Sequence, residues 1–183
     1  MPFLGILVLL QTYHYTFPEA LYYRIIILVV SGTYLLPLLT TTTIYKLGYI
    51  SSMKMTKPED RKTPFLLTAI FFYFTAQILK SVEAIPLLYI YLMAASVTVF
   101  IQLIALSKYK ISAHTAGIGG LMTLLTLMHM QGESFSIHWL GGGYLLIGLV
   151  GWSRLYLQAH TQTEVLLGYL SGIVPLIIFV FIF

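Results

Sequence analysis

The sequence predicts an all-α protein, a polytopic membrane bundle of about six transmembrane helices that forms one domain over residues 1–183. Of its 183 residues, 58% are hydrophobic and only 9% are charged, whereas soluble domains carry about 25% charged residues. The apolar residues form long runs separated by short polar loops, without the alternating segments of about 10 residues that a membrane barrel needs. A surface of this composition is more stable in contact with lipid than in contact with water.

Six apolar segments approach the roughly 20 residues that cross a bilayer. They lie at about 21–45, 64–81, 86–107, 114–130, 138–158 and 163–183. In the first segment, Pro37 is expected to bend the helix. Pro64 and Pro86 are interpreted as first-turn residues, where a missing N–H costs nothing. The apolar stretch at 3–10 reaches only about 12 Å, which is too short to cross the membrane by itself.

Each crossing moves the chain to the other side, so the loops after the first, third and fifth helices share one face. That face holds most of the ionisable residues: Lys54, Lys57, Arg61, Lys62, Lys108, Lys110, His114, Arg154, His160 and Glu164. The opposite face holds little beyond Lys80, Glu83, Glu133 and His138. Because ionisable groups at membrane depth cost about 2.5–3.5 kcal/mol each, they are functional hypotheses by default. We expect the functional site on the first face.

The first two polar stretches on this face each have a simpler explanation. Lys54 and Arg61 flank the loop before the second helix, where positive-inside flanking charge explains them equally well. Ser112 precedes the fourth helix and is a candidate cap, and the N-terminal amides of that helix favour an anion. His114 follows in the first turn, and taken alone it is a typical interfacial histidine. The glycines after it favour close helix packing.

The third stretch, Ser153-Arg154-Leu-Tyr-Leu-Gln-Ala-His160-Thr-Gln-Thr-Glu164, is the most specific. An arginine, a histidine and a carboxylate in this order suit a phosphate site. Glu164 comes four residues after His160, so on a helix the two share a face and can form a hydrogen bond. Such a pair determines which imidazole nitrogen is free to attack.

Together the three stretches resemble the motifs of the type 2 phosphatidic acid phosphatase superfamily, over roughly 54–165. Those motifs are Lys-x6-Arg-Pro, Pro-Ser-Gly-His and Ser-Arg-x5-His-x3-Asp. The matching residues are Lys54, Arg61, Ser112, His114, Ser153, Arg154 and His160. The chain departs from the motifs at Lys62, which replaces the proline, at Ile111 and Ala113, which replace proline and glycine, and at Glu164, which replaces the aspartate.

The resemblance implies a lipid phosphatase that works through a phosphohistidine. It assigns His160 as nucleophile, His114 as general acid and Glu164 as the residue that orients His160. It implies that phosphate is bound by Lys54, Arg61, Ser112, Ala113, Ser153 and Arg154. The substrate would be a membrane lipid phosphate or pyrophosphate whose tail stays in the bilayer. The membrane would be the bacterial cytoplasmic membrane, with the side of the site and the oligomeric state left open.

The composition also excludes several other kinds of catalytic site. The absence of cysteine excludes cysteine nucleophiles and thiolate zinc sites. Asp60 is the only aspartate, and the six acidic residues are too dispersed for a two-metal centre. We therefore expect no metal or other cofactor, and no nucleic acid partner. Two alternatives stay open: a phosphotransferase that uses the same phosphohistidine, and a catalytically silent protein that binds or transports lipid.

Overall fold

The computed structural model describes residues 2–53, 55, 57–82, 84–132 and 137–183, and their regular secondary structure is entirely helical, as predicted. The α-helices are α1 (Pro2–Thr12), α2 (Glu19–Val30), α3 (Leu36–Lys46), α4 (Glu59–Ser81), α5 (Pro86–Ala105), α6 (Ala113–Met130), α7 (Ile137–Tyr156) and α8 (Gln162–Ile182). Within the described ranges, four segments are long and apolar enough to cross a membrane: Glu19–Lys46, Glu59–Ser81, Pro86–Ala105 and Gln162–Ile182. Such segments are those of an integral membrane protein.

The first crossing is continuous from α2 to α3 through a π-helical turn at Ser31–Leu35. This turn directly precedes Pro37, which has no N–H to donate to the carbonyl of Thr33 four residues earlier. The hydroxyl of Thr33 in turn donates to the carbonyl of Val29 at 2.7 Å. The structure therefore shows a widened helical turn before Pro37, and the expected bend stays a prediction.

The prediction that Pro64 starts a helix is wrong, because α4 begins five residues earlier, at Glu59. The loop before α4 is anchored by Asp60, whose carboxylate accepts hydrogen bonds from the N–H of Ser51 at 2.9 Å and from its hydroxyl at 2.6 Å. Pro64 lies inside the helix, where it removes the hydrogen bond that would reach the carbonyl of Asp60. As a result, Arg61 lies on the first turn of α4 and not in a loop.

The bundle is held by hydrogen bonds between neighbouring helices and by a shared apolar core. The Ser96 hydroxyl donates to the Ala69 carbonyl at 2.8 Å and joins α5 to α4, and the Thr98 hydroxyl donates to the Ser171 carbonyl at 2.8 Å and joins α5 to α8. Helix α1 is part of this core, with buried side chains at Ile6, Leu9 and Leu10. The short N-terminal apolar stretch therefore packs one face against the bundle and leaves Leu4, Leu7 and Val8 exposed.

Helices α6 and α8 touch through a glycine seam made of Gly119, Gly120, Gly168 and Gly172. A Cβ on Gly120 would lie 3.3 Å from the carbonyl oxygen of Gly172, and a Cβ on Gly172 would overlap the carbonyl of Ala116. Small residues four apart on each helix permit such contact between backbones. The seam places the first turn of α6 directly beside the first turn of α8.

Alanine at Gly172 is expected to destabilise the protein by about 1–3 kcal/mol, because its Cβ would push α6 away from α8. Gly148 on α7 is the matched control, since a Cβ there meets nothing within 4 Å. Gly148→Ala should leave stability unchanged or raise it by up to about 1 kcal/mol. Thermal unfolding of both variants in the same detergent tests the seam. Equal melting temperatures for the two variants would contradict it.

Candidate active site

Three polar segments meet at one end of the bundle: the start of α4, the loop before α6, and the connection from α7 to α8. The carbonyl oxygen of Lys110 lies 2.8 Å from Nδ1 of His160. The charges of Arg154, His160 and Arg61 all act on His114. The structure thus brings together residues that lie about a hundred positions apart in the chain, on the face that loop parity predicts.

His160 is held in one tautomer by its contact with Lys110. A carbonyl oxygen can only accept a hydrogen bond, so Nδ1 of His160 must carry the proton and donate it to the Lys110 carbonyl. In the neutral ring the lone pair is then on Nε2. The His160 side chain is only 6% exposed. The ring is therefore fixed, with the lone pair of Nε2 free of this contact.

Glu164 joins the two segments that carry this contact. Its Oε1 accepts from the N–H of Lys110 at 3.0 Å, and its Oε2 accepts from the N–H of Thr161 at 3.0 Å and lies 3.4 Å from Nδ1 of His160. The N–H of Glu164 donates to the Thr161 hydroxyl at 3.3 Å, which completes a capping box at the start of α8. The predicted contact with His160 is present, but His160 precedes α8, so a shared helix face is not its cause.

Burial lowers the pKa of His160 below its ordinary value, because a desolvated imidazolium is less stable. The hydrogen bond to the Lys110 carbonyl and the Glu164 carboxylate raise the pKa, while the charges of Arg61 and Lys110 lower it further. The combined result is a lowered pKa. The lowered pKa favours the neutral form of His160 at neutral pH.

The pH profile of catalysis should reflect this lowered pKa. Protonation of His160 removes the Nε2 lone pair, so the rate should rise with pH along an acid limb whose midpoint lies below the ordinary histidine value. Glu164→Gln removes a carboxylate that raises the pKa, so the limb should move to lower pH. The exposed Glu19 supplies the control variant, Glu19→Gln, which should leave the limb in place. A Glu164→Gln profile with its acid limb at higher pH would contradict the assignment.

The residues at the start of α6 differ in their exposure and in their hydrogen bonds. Ser112 is completely buried, and its hydroxyl accepts from the N–H of Thr115 at 3.5 Å, as predicted for a helix cap. Its own N–H donates to the carbonyl of Glu164 at 3.2 Å. Ala113 and His114 are exposed. The N–H of Ala113 belongs to the first turn, whose amides have no partners within the helix.

The two arginines each use one N–H for anchoring. Nε of Arg61 donates to the carbonyl of Met55 at 2.9 Å, and Nε of Arg154 lies 3.5 Å from the hydroxyl of Ser153. Neither guanidinium makes another hydrogen bond within the described ranges, so the terminal nitrogens keep donors for an anion. Lys54, the other predicted cation, lies outside the described residues.

No protein-family model, curated protein or solved structure matches this chain. Its chemistry must therefore be inferred from the site itself. The sequence patterns do not predict two parts of the site. These are the backbone N–H and carbonyl of Lys110, and the cap of α8 at Thr161. Among the residues that the structure describes, no group of three or more side chains has the composition of a metal site.

Proposed function

We propose that this protein is an integral membrane phosphatase that removes phosphate from a lipid through a phosphohistidine, as the motif resemblance implies. The observation that carries the proposal is the state of His160: its Nδ1 is tied to the Lys110 carbonyl, and its Nε2 is left with the lone pair. Arg61, Arg154 and His160 all lie within electrostatic reach of His114. A histidine nucleophile, a proton donor and two cations are the groups that phosphoryl transfer needs.

In the first step, Nε2 of His160 attacks phosphorus and the bond from phosphorus to the lipid oxygen breaks. His114 gives a proton to that oxygen as it leaves. The imidazolium character that develops on His160 is stabilised by the Lys110 carbonyl and by Glu164. Arg61 and Arg154 hold the phosphoryl oxygens and offset their negative charge. The motif resemblance adds Lys54, Ser153 and the N–H of Ala113 to the proposed phosphate site, while the completely buried Ser112 caps the helix that carries Ala113.

In the second step, His114 takes a proton from water while the water oxygen attacks phosphorus. The bond from phosphorus to Nε2 of His160 breaks, inorganic phosphate leaves, and both histidines return to their starting states. All the groups in this cycle belong to the chain, so it needs no cofactor.

We also propose that α6 and α7 cross the membrane, which makes six crossings together with the four segments above. Helix α6 has 18 residues and α7 has 20, which at 1.5 Å per residue come close to the roughly 30 Å hydrocarbon core. Leu145, Leu149 and Trp152 of α7 are 58–72% exposed, as side chains in contact with lipid would be. The excess of lysines at the site end favours the cytoplasmic side under the positive-inside rule.

The test is release of phosphate from a panel of lipid phosphates by the purified protein in detergent. The panel contains a diacylglycerol phosphate, a phosphatidylglycerol phosphate and polyprenyl mono- and pyrophosphates. Release should persist in chelator, and vanadate should inhibit it. Activity that is lost in chelator and restored by magnesium or zinc would contradict the mechanism. A phosphorylated acceptor in place of free phosphate would indicate a phosphotransferase, and neither product would indicate a silent lipid-binding protein.

A further inference from the structure

Asp60 is a buried carboxylate on the first turn of α4 that the proposed reaction does not use. It is only 6% exposed, whereas Glu59, its neighbour on the same turn, is exposed. An acidic residue in a first turn is favourable even at the surface, because the N-terminal end of a helix carries a partial positive charge. The helix alone therefore does not explain why Asp60 is buried. Both of its oxygens accept hydrogen bonds from Ser51, nine residues earlier in the chain.

The turn that follows Ser51 leads to Arg61. The N–H of Met55 donates to the carbonyl of Ser52 at 2.9 Å, and the carbonyl of Met55 accepts from Nε of Arg61 at 2.9 Å. One end of the turn is thus bonded to Asp60 and the other end to Arg61. Two adjacent side chains of α4 therefore hold the two ends of one turn.

The backbone of Met55 supports the view that these bonds hold the turn. Its φ is +47°, in the left-handed region that residues other than glycine rarely adopt. Such conformations persist only where the surrounding contacts determine them. Ser51 and Met53 are exposed, so side-chain packing fixes little of this turn. The hydrogen bonds to α4 are then the contacts that keep the Met55 carbonyl in place.

We infer that Asp60 is a positioning residue of the proposed phosphate site: it fixes the turn whose Met55 carbonyl orients the guanidinium of Arg61. This inference rests on the proposed function, in which Arg61 holds phosphoryl oxygens. Because a guanidinium is planar and rigid, a bond at Nε also sets the direction of its two terminal nitrogens. The charge of Arg61 acts on both histidines of the site. A change in its orientation is therefore felt where phosphate would bind.

Asp60→Ala should lower kcat/KM on a lipid phosphate by about 10- to 100-fold, the effect of a binding group displaced by roughly 1 Å. Asp60→Asn should keep most of the rate. Its amide oxygen can accept from the N–H of Ser51, and its NH₂ group can donate to the Ser51 hydroxyl. Glu59→Ala is the matched control and should leave the rate unchanged, since Glu59 is exposed on the same turn.

The deciding comparison is made in an Arg61→Gln background. If Asp60 acts through Arg61, Asp60→Ala should cost less than about 2-fold there, because residues that act as a unit are not additive. Ser51→Ala removes only the hydroxyl contact and should cost about 2- to 10-fold, the value of one hydrogen bond, in the wild type alone. It decides the question if Asp60→Ala does not fold. A full further loss in the Arg61→Gln background would overturn the inference.

Binding of vanadate, a phosphate analogue, gives a readout that does not depend on turnover. Vanadate should raise the melting temperature of the wild type and of Asp60→Asn, and it should do so less for Asp60→Ala. In the Arg61→Gln background, Asp60→Ala should make no further difference. If no lipid is hydrolysed, the proposed function fails, and this thermal comparison alone decides whether Asp60 positions an anion site. Equal stabilisation of the wild type and Asp60→Ala, or none of the wild type, would contradict the assigned role.

Discussion

Replacing His160 by alanine is expected to abolish phosphate release and to leave no covalent phosphoenzyme. The expectation follows from the ring geometry: Nδ1 donates to the Lys110 carbonyl, so Nε2 is the atom available for attack. Without it no bond from nitrogen to phosphorus can form. Loss of the nucleophile of a serine protease costs a factor on the order of 10⁶ in kcat.

The measurement is twofold, with phosphate release followed at steady state and the trapped intermediate sought after rapid quenching in alkali, where phosphohistidine survives. The exposed His14 offers a matched control, and His14→Ala should keep both the turnover and the label. If His160→Ala still became labelled, another residue would be the nucleophile and the mechanism would be wrong.

Replacing His114 by alanine is expected to slow the release of lipid phosphates by about 10²–10⁴-fold, the usual value of a general acid or base. His114 lies on the exposed first turn of α6, within electrostatic reach of His160 and both arginines. A lipid alkoxide is a poor leaving group and needs a proton as the bond from phosphorus to oxygen breaks. A p-nitrophenolate leaves without one.

The rates of His114→Ala should therefore be compared on a lipid phosphate and on p-nitrophenyl phosphate. Formation of the phosphohistidine should be far less impaired with the nitrophenyl ester, which the initial burst of nitrophenol reports. His14→Ala should affect neither substrate. An equal loss in the burst for both substrates would show that His114 acts in some way other than protonating the leaving group.

Hydrophobicity predicted the helical segments well, because each crossing must bury about 20 apolar residues in lipid whatever its neighbours are. The start of α4 was not predicted, because it depends on a contact with a residue outside the helix. Asp60 bonds Ser51 across the preceding loop, and the helix begins before Pro64. The packing of the N-terminal stretch was not predicted for a related reason. No local sequence pattern indicates that Ile6 and Leu9 enter the core.

At the site, motif spacing and loop parity predicted that His114, Arg154 and His160 lie together, and their catalytic roles stay predictions. The mechanism that fixes the His160 ring was not predictable, because the partner is a backbone carbonyl fifty residues away. Glu164 was expected to hold this ring directly. It lies 3.4 Å from Nδ1, and it also accepts from the N–H of Lys110. The added methylene relative to aspartate gives the carboxylate more reach toward that second segment.

His160 is held by the backbone carbonyl of Lys110, so side-chain substitutions at position 110 do not remove this contact. Lys110→Ala would remove a charge that acts on the pKa of His160, but it would leave the backbone carbonyl and N–H in place. Proline at position 110 would remove the N–H that donates to Glu164, and a backbone ester after residue 110 would weaken the carbonyl that accepts from His160.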